Sequence, residues 1–259
     1  MSILDGVIRN AREANSERAG DHRDEEGYLC CGVCGRRREF DVTVMGQTVR
    51  VPVICDCDRA EVQKLEEERR AQRRERNREL AFSDKPSRLI TFDKDMGPQS
   101  GVSVKLRQYA RSFTLESKWL VLFGGCGTGK SFYAKCIVNS VIDMGHTAKF
   151  ITVPEVERRL WNCKNGELYD WLDGFDLLVI DDLFAERDTD YMREIVFTLT
   201  DMRSRSGKPV IITTNMGTEG FQKPKDLPRE RVVSRLREHA LFVPVLGADK
   251  RINTNNTVR

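Results

Sequence analysis

The sequence predicts an α/β protein in which a large domain built on a parallel sheet follows a small cysteine-rich module and a charged helix. Two observations carry this prediction. In the last two thirds, apolar runs alternate with amphipathic helical stretches, which is typical of a parallel sheet covered by helices. In the first third, five cysteines flank a stretch of alternating apolar and polar residues, which is typical of a β-hairpin. We therefore predict a module over residues 1–58, a helical linker over 59–85 and an α/β domain over 86–259.

Length and composition limit the classes of protein that this chain can be. A chain of 259 residues is long enough for one α/β domain and a small appendage. The net charge of +3 is a near-balance of 43 basic and 40 acidic residues, so overall charge does not indicate nucleic-acid binding. No apolar run approaches the ~18 residues of a membrane span, and the first residues do not resemble a secretory signal. We expect a cytoplasmic protein whose eight cysteines stay reduced and serve as metal ligands or core residues.

The cysteines of the first third form two groups, Cys30, Cys31 and Cys34 in "CCGVCG" and Cys55 and Cys57 in "CDC". The stretch between them, "EFDVTVMGQTVRVPVI", predicts a hairpin that brings the two groups together. Four converging thiolates are ligands that Zn²⁺ prefers, and a site filled by four protein ligands is structural. We predict a structural zinc site formed by Cys31, Cys34, Cys55 and Cys57, with Cys30 as a competitor for the place of Cys31. A cluster of reduced cysteines without metal is the alternative.

The stretch "RAEVQKLEEERRAQRRERNREL", from Arg59 to Leu80, is dense in charges of both signs. Glutamates stand three and four residues before arginines, a spacing that stabilises an exposed helix. Sizeable apolar residues are too few for a coiled-coil seam. We interpret the stretch as a solvated helical spacer, with DNA contact by its arginine-rich half as the less favoured alternative. Pro86 in "SDKPS" marks its end.

A phosphate-binding loop follows the first of the apolar runs "WLVLF", "AKFITV", "LLVI", "PVIITT" and "LFVPV". The segment "LFGGCGTGKS" stands between a predicted strand and a predicted helix, which is the context of a G-x-x-x-x-G-K-[ST] nucleotide loop. Its glycines permit a tight turn and let backbone N–H groups face phosphates. Lys130 is expected to reach the β- and γ-phosphates, and Ser131 to bind Mg²⁺. The predicted nucleotide-binding residues of the loop are Gly124, Gly125, Cys126, Gly127, Thr128, Gly129, Lys130, Ser131 and Phe132.

Polar residues end two further predicted strands. Asp181 and Asp182 close "FDLLVIDD", and ligands bind at this end of the strands in such sheets. Asp181 is expected to hold Mg²⁺ through water and Asp182 to orient the attacking water. Many ATPases carry the longer glutamate at the second position, so we expect slow or geometry-sensitive hydrolysis. Asn215, after "PVIITT", is expected at the same edge, where its amide could sense the γ-phosphate or fix the water.

The helix "PRERVVSRLREH" is rich in arginine. An arginine supplied by a neighbouring subunit can stabilise the transition state of phosphoryl transfer and contribute ~10³–10⁵ in rate. If one of these arginines reaches a neighbour's phosphates, the active site is shared and hydrolysis requires assembly. An ordinary solvated helix is the alternative for any single arginine.

Four segments, "GGCGTGKS", "LLVIDDL", "VIITTN" and "ERVVSRLR", resemble the DnaC-type AAA+ P-loop ATPases in order and spacing over roughly residues 90–251. That group comprises replicative helicase loaders of bacteria and phages and the IstB-type transposition helpers. The resemblance implies a lidless AAA+ domain that hydrolyses ATP, with Arg235 acting on a neighbour's nucleotide and Arg231 as the less favoured candidate. It also implies that Arg251 contacts the nucleotide within its own chain. Tyr191 matches a DNA-contacting aromatic residue, with packing on its own helix as the alternative.

The first half is similar to the zinc-bearing loader variants of Gram-positive bacteria and their phages. In such loaders the appendage grips the helicase and the ATPase handles single-stranded DNA. The resemblance implies ATP, Mg²⁺ and Zn²⁺ as cofactors. The implied partners are a DnaB-type replicative helicase, single-stranded DNA and further copies of the chain in an ATP-dependent spiral. Two alternatives stay open: a transposition helper that binds duplex DNA and a transposase, and a nucleotide-switched adaptor with little turnover.

Overall fold

The computed structural model describes residues 19–44, 46–53, 55–95, 100–162, 166–184, 189–224 and 226–249. The chain divides into two compact units, Met1–Gln72 and Arg73–Arg259. Among the helices of the described ranges, none combines the length and the apolar character that crossing a membrane requires.

Within its described residues, the first unit contains two antiparallel strand pairs. Strands β1 (His22–Arg23) and β2 (Leu29–Cys30) form a short pair, and strands β3 (Glu39–Val44) and β4 (Gln47–Pro52) form a hairpin. Gly46 lies in the hairpin turn with φ of 79°, a left-handed conformation that glycine adopts without steric cost. The predicted hairpin is thus confirmed.

One side of this hairpin is polar, and its side chains contact other residues of the first unit. Arg50 donates a hydrogen bond to the Asp41 carboxylate at 3.0 Å, and its guanidinium lies 4.2 Å from the centre of the Tyr28 ring. Tyr28 in turn donates to Asp41 at 2.8 Å. These contacts fix the polar side of the hairpin against the chain that precedes it.

The other side of the hairpin carries the cross-strand pairs Phe40–Val51 and Val42–Val49. We name these four residues the apolar hairpin face. Phe40 is 47% exposed and Val42 is 42% exposed. Alternating sequences of this kind commonly bury their apolar side against a core, whereas here the apolar side faces outward.

The charged stretch forms helix α1 (Asp56–Ala81), which confirms the predicted helix. Most of its side chains are exposed, and Glu66 and Arg70 form an i,i+4 ion pair at 3.6 Å. The middle of the helix therefore matches the predicted solvated spacer.

The last turn of α1 differs from a solvated spacer. Ala81 and the following Phe82 are buried, and the Phe82 ring lies 5.8 Å from that of Phe150. The Asn77 amide donates to the carbonyl oxygen of His146 at 3.2 Å. The last turn is therefore part of the second unit, because it buries apolar surface there. The charged stretch has no apolar periodicity that would predict this burial.

A buried lysine holds the end of α1. The Lys149 ammonium donates to the Leu80 carbonyl at 3.1 Å, at the end where helix carbonyl groups lack partners within the helix. Burial lowers the pKa of Lys149 from its usual value. The positive charge near the carboxyl end of a helix is favourable to its dipole.

The second unit is built on five parallel strands, and each predicted apolar run forms one of them. The strands are β5 (Trp119–Phe123), β6 (Ala148–Thr152), β7 (Leu177–Leu183), β8 (Val210–Thr214) and β9 (Ala240–Pro244). Their order in the sheet is β6-β7-β8-β5-β9. The predicted parallel α/β sheet is confirmed, and the order places the end of β5 beside the end of β8.

Helices cover both faces of the sheet. They are α2 (Gly101–Arg111), α3 (Lys130–Asp143), α4 (Val153–Leu160), α5 (Glu167–Asp173), α6 (Asp190–Ser206), α7 (Thr218–Gln222) and α8 (Leu227–His239), and the segments Pro86–Leu89 and Phe92–Lys94 are 3₁₀ turns. Side-chain caps fix several starts: Thr189 accepts from the N–H of Met192 before α6, and Asp226 accepts from the N–H of Arg229 before α8.

The core lies on both faces of the sheet because successive strand residues point to opposite sides. Leu120 and Leu122 of β5 pack with α2 and α3. Trp119 and Val121 pack on the opposite face with α4, α5, α6 and α8. Apolar side chains therefore cover both faces of the sheet.

Candidate functional site

The loop between β5 and α3 needs its glycines for two different reasons. A Cβ on Gly124, which has φ of 150°, would lie 2.3 Å from the carbonyl oxygen of Val245. Gly129 has φ of 102° and caps α3 in a left-handed conformation. The loop therefore brings bare backbone to the amino end of a helix, where N–H groups without partners in the helix suit an anion.

Lys130, the first residue of α3, is buried and its ammonium lies under this loop. It donates to the carbonyl oxygens of Gly124 at 3.0 Å and Gly125 at 2.6 Å, and to Oδ1 of Asn215 at 2.7 Å. Thr128 is also buried, and its hydroxyl donates to the Gly125 carbonyl at 3.0 Å. The structure thus brings Lys130 and Asn215 together although they are far apart in the sequence.

The two strand-end acids lie at the same edge. The Asn215 amide donates to Oδ1 of Asp182 at 3.2 Å, which completes a path of hydrogen bonds from Lys130 through Asn215 to Asp182. Asp181 accepts a hydrogen bond from the Thr213 hydroxyl at 2.6 Å. Four predicted site residues therefore converge, and their roles toward nucleotide and Mg²⁺ stay predictions.

The strand pair β7–β8 is irregular where these acids stand. Ile180 pairs with Ile212 and Leu183 with Thr214, so that Asp181 and Asp182 together face the single residue Thr213. Thr213 is a candidate site residue that the sequence analysis does not identify. The two consecutive threonines of "VIITTN" are the sequence signal for this residue, and threonine is common in ordinary strands.

The remaining predicted nucleotide and DNA residues occupy varied surroundings. Cys126 is exposed, and the Phe132 ring packs 5.5 Å from that of Tyr133 beside the core. Tyr191 is 44% exposed near the start of α6. Arg251 lies outside the described residues.

The predicted trans arginine is held by its own chain. The Arg235 guanidinium pairs with the Asp201 carboxylate on α6 and lies 4.5 Å from the centre of the Phe197 ring. Arg231, one turn earlier on α8, is exposed. Neither of these Arg235 contacts belongs to the phosphate loop, and the Asp201 carboxylate is a rival to a neighbour's phosphate for the guanidinium charge. The trans role stays a prediction.

The hairpin gathers the predicted cysteine ligands in the first unit. The sulfurs of Cys31, Cys34, Cys55 and Cys57 all lie within 4.8 Å of one another. Cys30 is outside this group, and its thiol lies 3.6 Å from the Tyr28 carbonyl oxygen. The geometry therefore favours Cys31 over Cys30.

The surroundings of the four sulfurs fit a soft cation. Backbone N–H groups of Val33 and Cys57 donate to the sulfurs of Cys31 and Cys55 at 3.4 and 3.3 Å, contacts that stabilise thiolates. Hydrogen bonding from Cys34, and then from Cys55, raises the pKa of Cys57 to about 12. Zn–S bonds of about 2.3 Å place sulfurs about 3.8 Å apart, which is compatible with this cluster. A bound cation would favour the thiolates.

The sequence pattern of the IstB-like ATP binding protein family matches residues 59–257. The replicative helicase loader DnaC of Escherichia coli K12 is 30% identical over 139 residues, which cover 51% of this chain and 56% of that protein. The replicative helicase loader DnaI of Bacillus subtilis is 26% identical over 181 residues, which cover 66% of this chain and 54% of that protein. The chain thus spans about half the length of these curated relatives.

Solved structures show the same fold. The crystal structure of DnaI superimposes with a TM-score of 0.57 at 19% identity, covering 68% of this chain and all of that one. The DnaC helicase loader gives 0.55 at 22% identity, covering 63% of this chain and all of that one. AMPPCP-bound DnaA from Aquifex aeolicus gives 0.51 at 16% identity, covering 64% of this chain and 53% of that one. These likenesses confirm the predicted AAA+ P-loop fold. Because the family pattern covers most of its length, the chain belongs to the family of IstB-like ATP-binding proteins.

Proposed function

We propose that this protein is an ATP-dependent loader that binds a DnaB-type replicative helicase and single-stranded DNA and delivers the helicase ring onto DNA. The observation that carries the proposal is the similarity to two proteins named replicative helicase loaders. A closed ring cannot pass onto a DNA strand that has no free end, so loading requires the ring to be opened or assembled around the strand. Nucleotide binding and hydrolysis can drive such a conformational change.

Each residue of the strand-end site has a part in the proposed hydrolysis. Lys130 neutralises the β- and γ-phosphates, and Mg²⁺, when bound through Ser131 and Asp181, supplies further positive charge there. Asp182 orients the attacking water. Asn215 contacts both Lys130 and Asp182. A γ-phosphate that attracts the Lys130 ammonium would therefore change the hydrogen bonding of Asn215 and, through it, of Asp182.

The second unit would provide both self-assembly and DNA binding. ATP at one subunit would attract Arg235 of the next, so that ATP binding builds an open spiral and completes the site. Tyr191 offers an exposed ring on which a base can stack, a contact worth ~1–3 kcal/mol. Hydrolysis then releases the loader from the threaded strand.

The first unit would hold the helicase through the apolar hairpin face. Zinc at the four cysteines would supply folding energy that so small a unit lacks. Phe40 and Val42 are more than two fifths exposed, an arrangement that costs solubility and is typical of contact surfaces. An apolar patch on the helicase is the partner that this face fits.

The test measures binding and loading separately in the full chain. Phe40→Ser is expected to weaken co-purification with the host replicative helicase, whereas Leu115→Ser, an exposed leucine of the second unit, leaves it unchanged. Lys130→Ala is expected to keep helicase binding and to lose ATP-dependent loading onto single-stranded DNA. Loading by Lys130→Ala at the wild-type rate would contradict the proposal, as would equal helicase binding by Phe40→Ser and wild type.

A transposition helper is the second candidate, because the matching family is named for IstB-like proteins. The two functions differ in the DNA that they use. ATP turnover stimulated by single-stranded DNA and not by duplex supports the loader, and the reverse supports the transposition helper. Absence of turnover with either, with helicase binding intact, would indicate a nucleotide-switched adaptor.

A further inference from the structure

The irregular pairing of β7 and β8 places the second acid in an unusual conformation. Asp181 and Asp182 face Thr213 alone, which is the two-against-one count of a β-bulge. Asp182 has φ of 58°, in the left-handed region that few residues other than glycine adopt. Such a conformation persists where surrounding contacts impose it.

The hydroxyl of Thr213 supplies those contacts. Thr213 is buried, and its Oγ1 accepts the backbone N–H of Asp182 at 2.9 Å while donating to Oδ1 of Asp181 at 2.6 Å. A hydroxyl has one proton to donate and lone pairs to accept, so one group can serve both acids. The bulge removes the backbone N–H of Asp182 from the regular strand pairing, and the Thr213 hydroxyl gives it a hydrogen-bond acceptor.

The next residue closes the other side of the bulge. Thr214 is also buried, and its hydroxyl donates to the Leu183 carbonyl at 2.6 Å. The regular pairing resumes there, between Leu183 and Thr214. The two threonines therefore hold the bulge from both ends, but Thr213 alone touches the carboxylate of Asp181 and the backbone of Asp182.

We propose that Thr213 is a positioning residue that sets the Asp181 carboxylate for Mg²⁺ and the Asp182 carboxylate for water. The proposal rests on the proposed ATP hydrolysis. Through one hydroxyl, Thr213 fixes the rotamer of Asp181 and the backbone turn that carries the Asp182 side chain to Asn215. Side chains that orient a metal-binding carboxylate typically change metal affinity or activity by about 10–100-fold when removed.

The test uses Thr213→Val in the full chain, which keeps the shape of the side chain and removes the hydroxyl. We expect kcat and the Mg²⁺-dependent gain in affinity for a fluorescent ATP analogue to fall by about 10–100-fold. Affinity without Mg²⁺ should stay unchanged, because the loop and Lys130 are intact. Thr213→Ser, which keeps the hydroxyl, should restore both quantities. A purely structural role would lower affinity equally with and without Mg²⁺.

Thr200→Val is the matched control, since Thr200 is a buried threonine whose hydroxyl donates to the helix carbonyls of Val196 and Phe197 at 2.9 and 3.0 Å. Wild-type kcat and Mg²⁺ dependence in Thr213→Val would overturn the proposal, as would an equal loss in Thr200→Val. If thermal melting shows that Thr213→Val does not fold, Thr213→Ala is measured instead. If the wild type hydrolyses no ATP, the proposed hydrolysis fails, and the Mg²⁺ titration still decides the role of Thr213.

Discussion

The end of helix α1 gives the sharpest test of where the ATP-binding domain begins. Phe82 follows the helix, is 2% exposed and packs on Phe150, whereas Leu80 is 44% exposed. If the domain includes this turn, Phe82→Ala removes a buried ring from its core. If the turn is a solvated spacer, as the charge pattern suggests, the substitution costs little.

The expected magnitude follows from burial. Replacing a buried phenylalanine by alanine typically lowers the free energy of unfolding by about 3–5 kcal/mol. Leu80→Ala, the matched control, changes an exposed side chain and should stay within about 0.5 kcal/mol of wild type. The Lys149 hydrogen bond to residue 80 uses the backbone carbonyl and is present in both variants.

Urea unfolding followed by tryptophan fluorescence measures this difference. The three tryptophans of the chain, at positions 119, 161 and 171, belong to the second unit, so their signal reports its unfolding. A lower urea concentration at the midpoint, with an unchanged slope of the unfolding free energy against urea, would show that stability is lost. The unchanged slope would show that unfolding exposes the same amount of surface. A loss below about 1 kcal/mol in Phe82→Ala would refute the assignment of this turn to the domain core.

Three further predictions concern the cysteines and the arginine helix. Under the proposed zinc site, chelation of the metal, or Cys55→Ser, should unfold the first unit and leave the tryptophan-monitored transition of the second unchanged; a shift of that transition would contradict two independent units. Arg235→Ala should abolish ATP turnover and leave nucleotide affinity nearly unchanged, and a simultaneous loss of affinity in equilibrium binding would contradict the trans role. Burial raises the pKa of Cys136 to about 12, so at pH 8 its thiol stays protonated and unalkylated, whereas exposed Cys126 should be alkylated and protected by ATP. Peptide mapping checks both sites, and alkylation of native Cys136 would contradict its burial.

The sequence predicts well those features that one local pattern determines. A strand that is buried on both faces has a continuous apolar sequence, so each apolar run predicts its strand correctly. The convergence of four cysteine sulfurs follows from the hairpin between them, which brings distant residues together by local geometry alone. The glycines of the phosphate loop are likewise explained by the turn that they form. In each case, the signal lies within one continuous segment of the chain.

The features that the sequence does not predict depend on which segments meet in space. Arg235 has a predicted role toward another subunit, and its partner in the structure is Asp201 on helix α6. The same carboxylate also pairs with Arg205. Nothing in the local pattern of α8 identifies that carboxylate, because the choice follows from the packing of α6 against α8. The pairing has a functional consequence under the proposed mechanism. A neighbour's triphosphate must compete with Asp201 for the guanidinium, so the Asp201 carboxylate would make assembly depend on the full charge of ATP and weaken it with ADP.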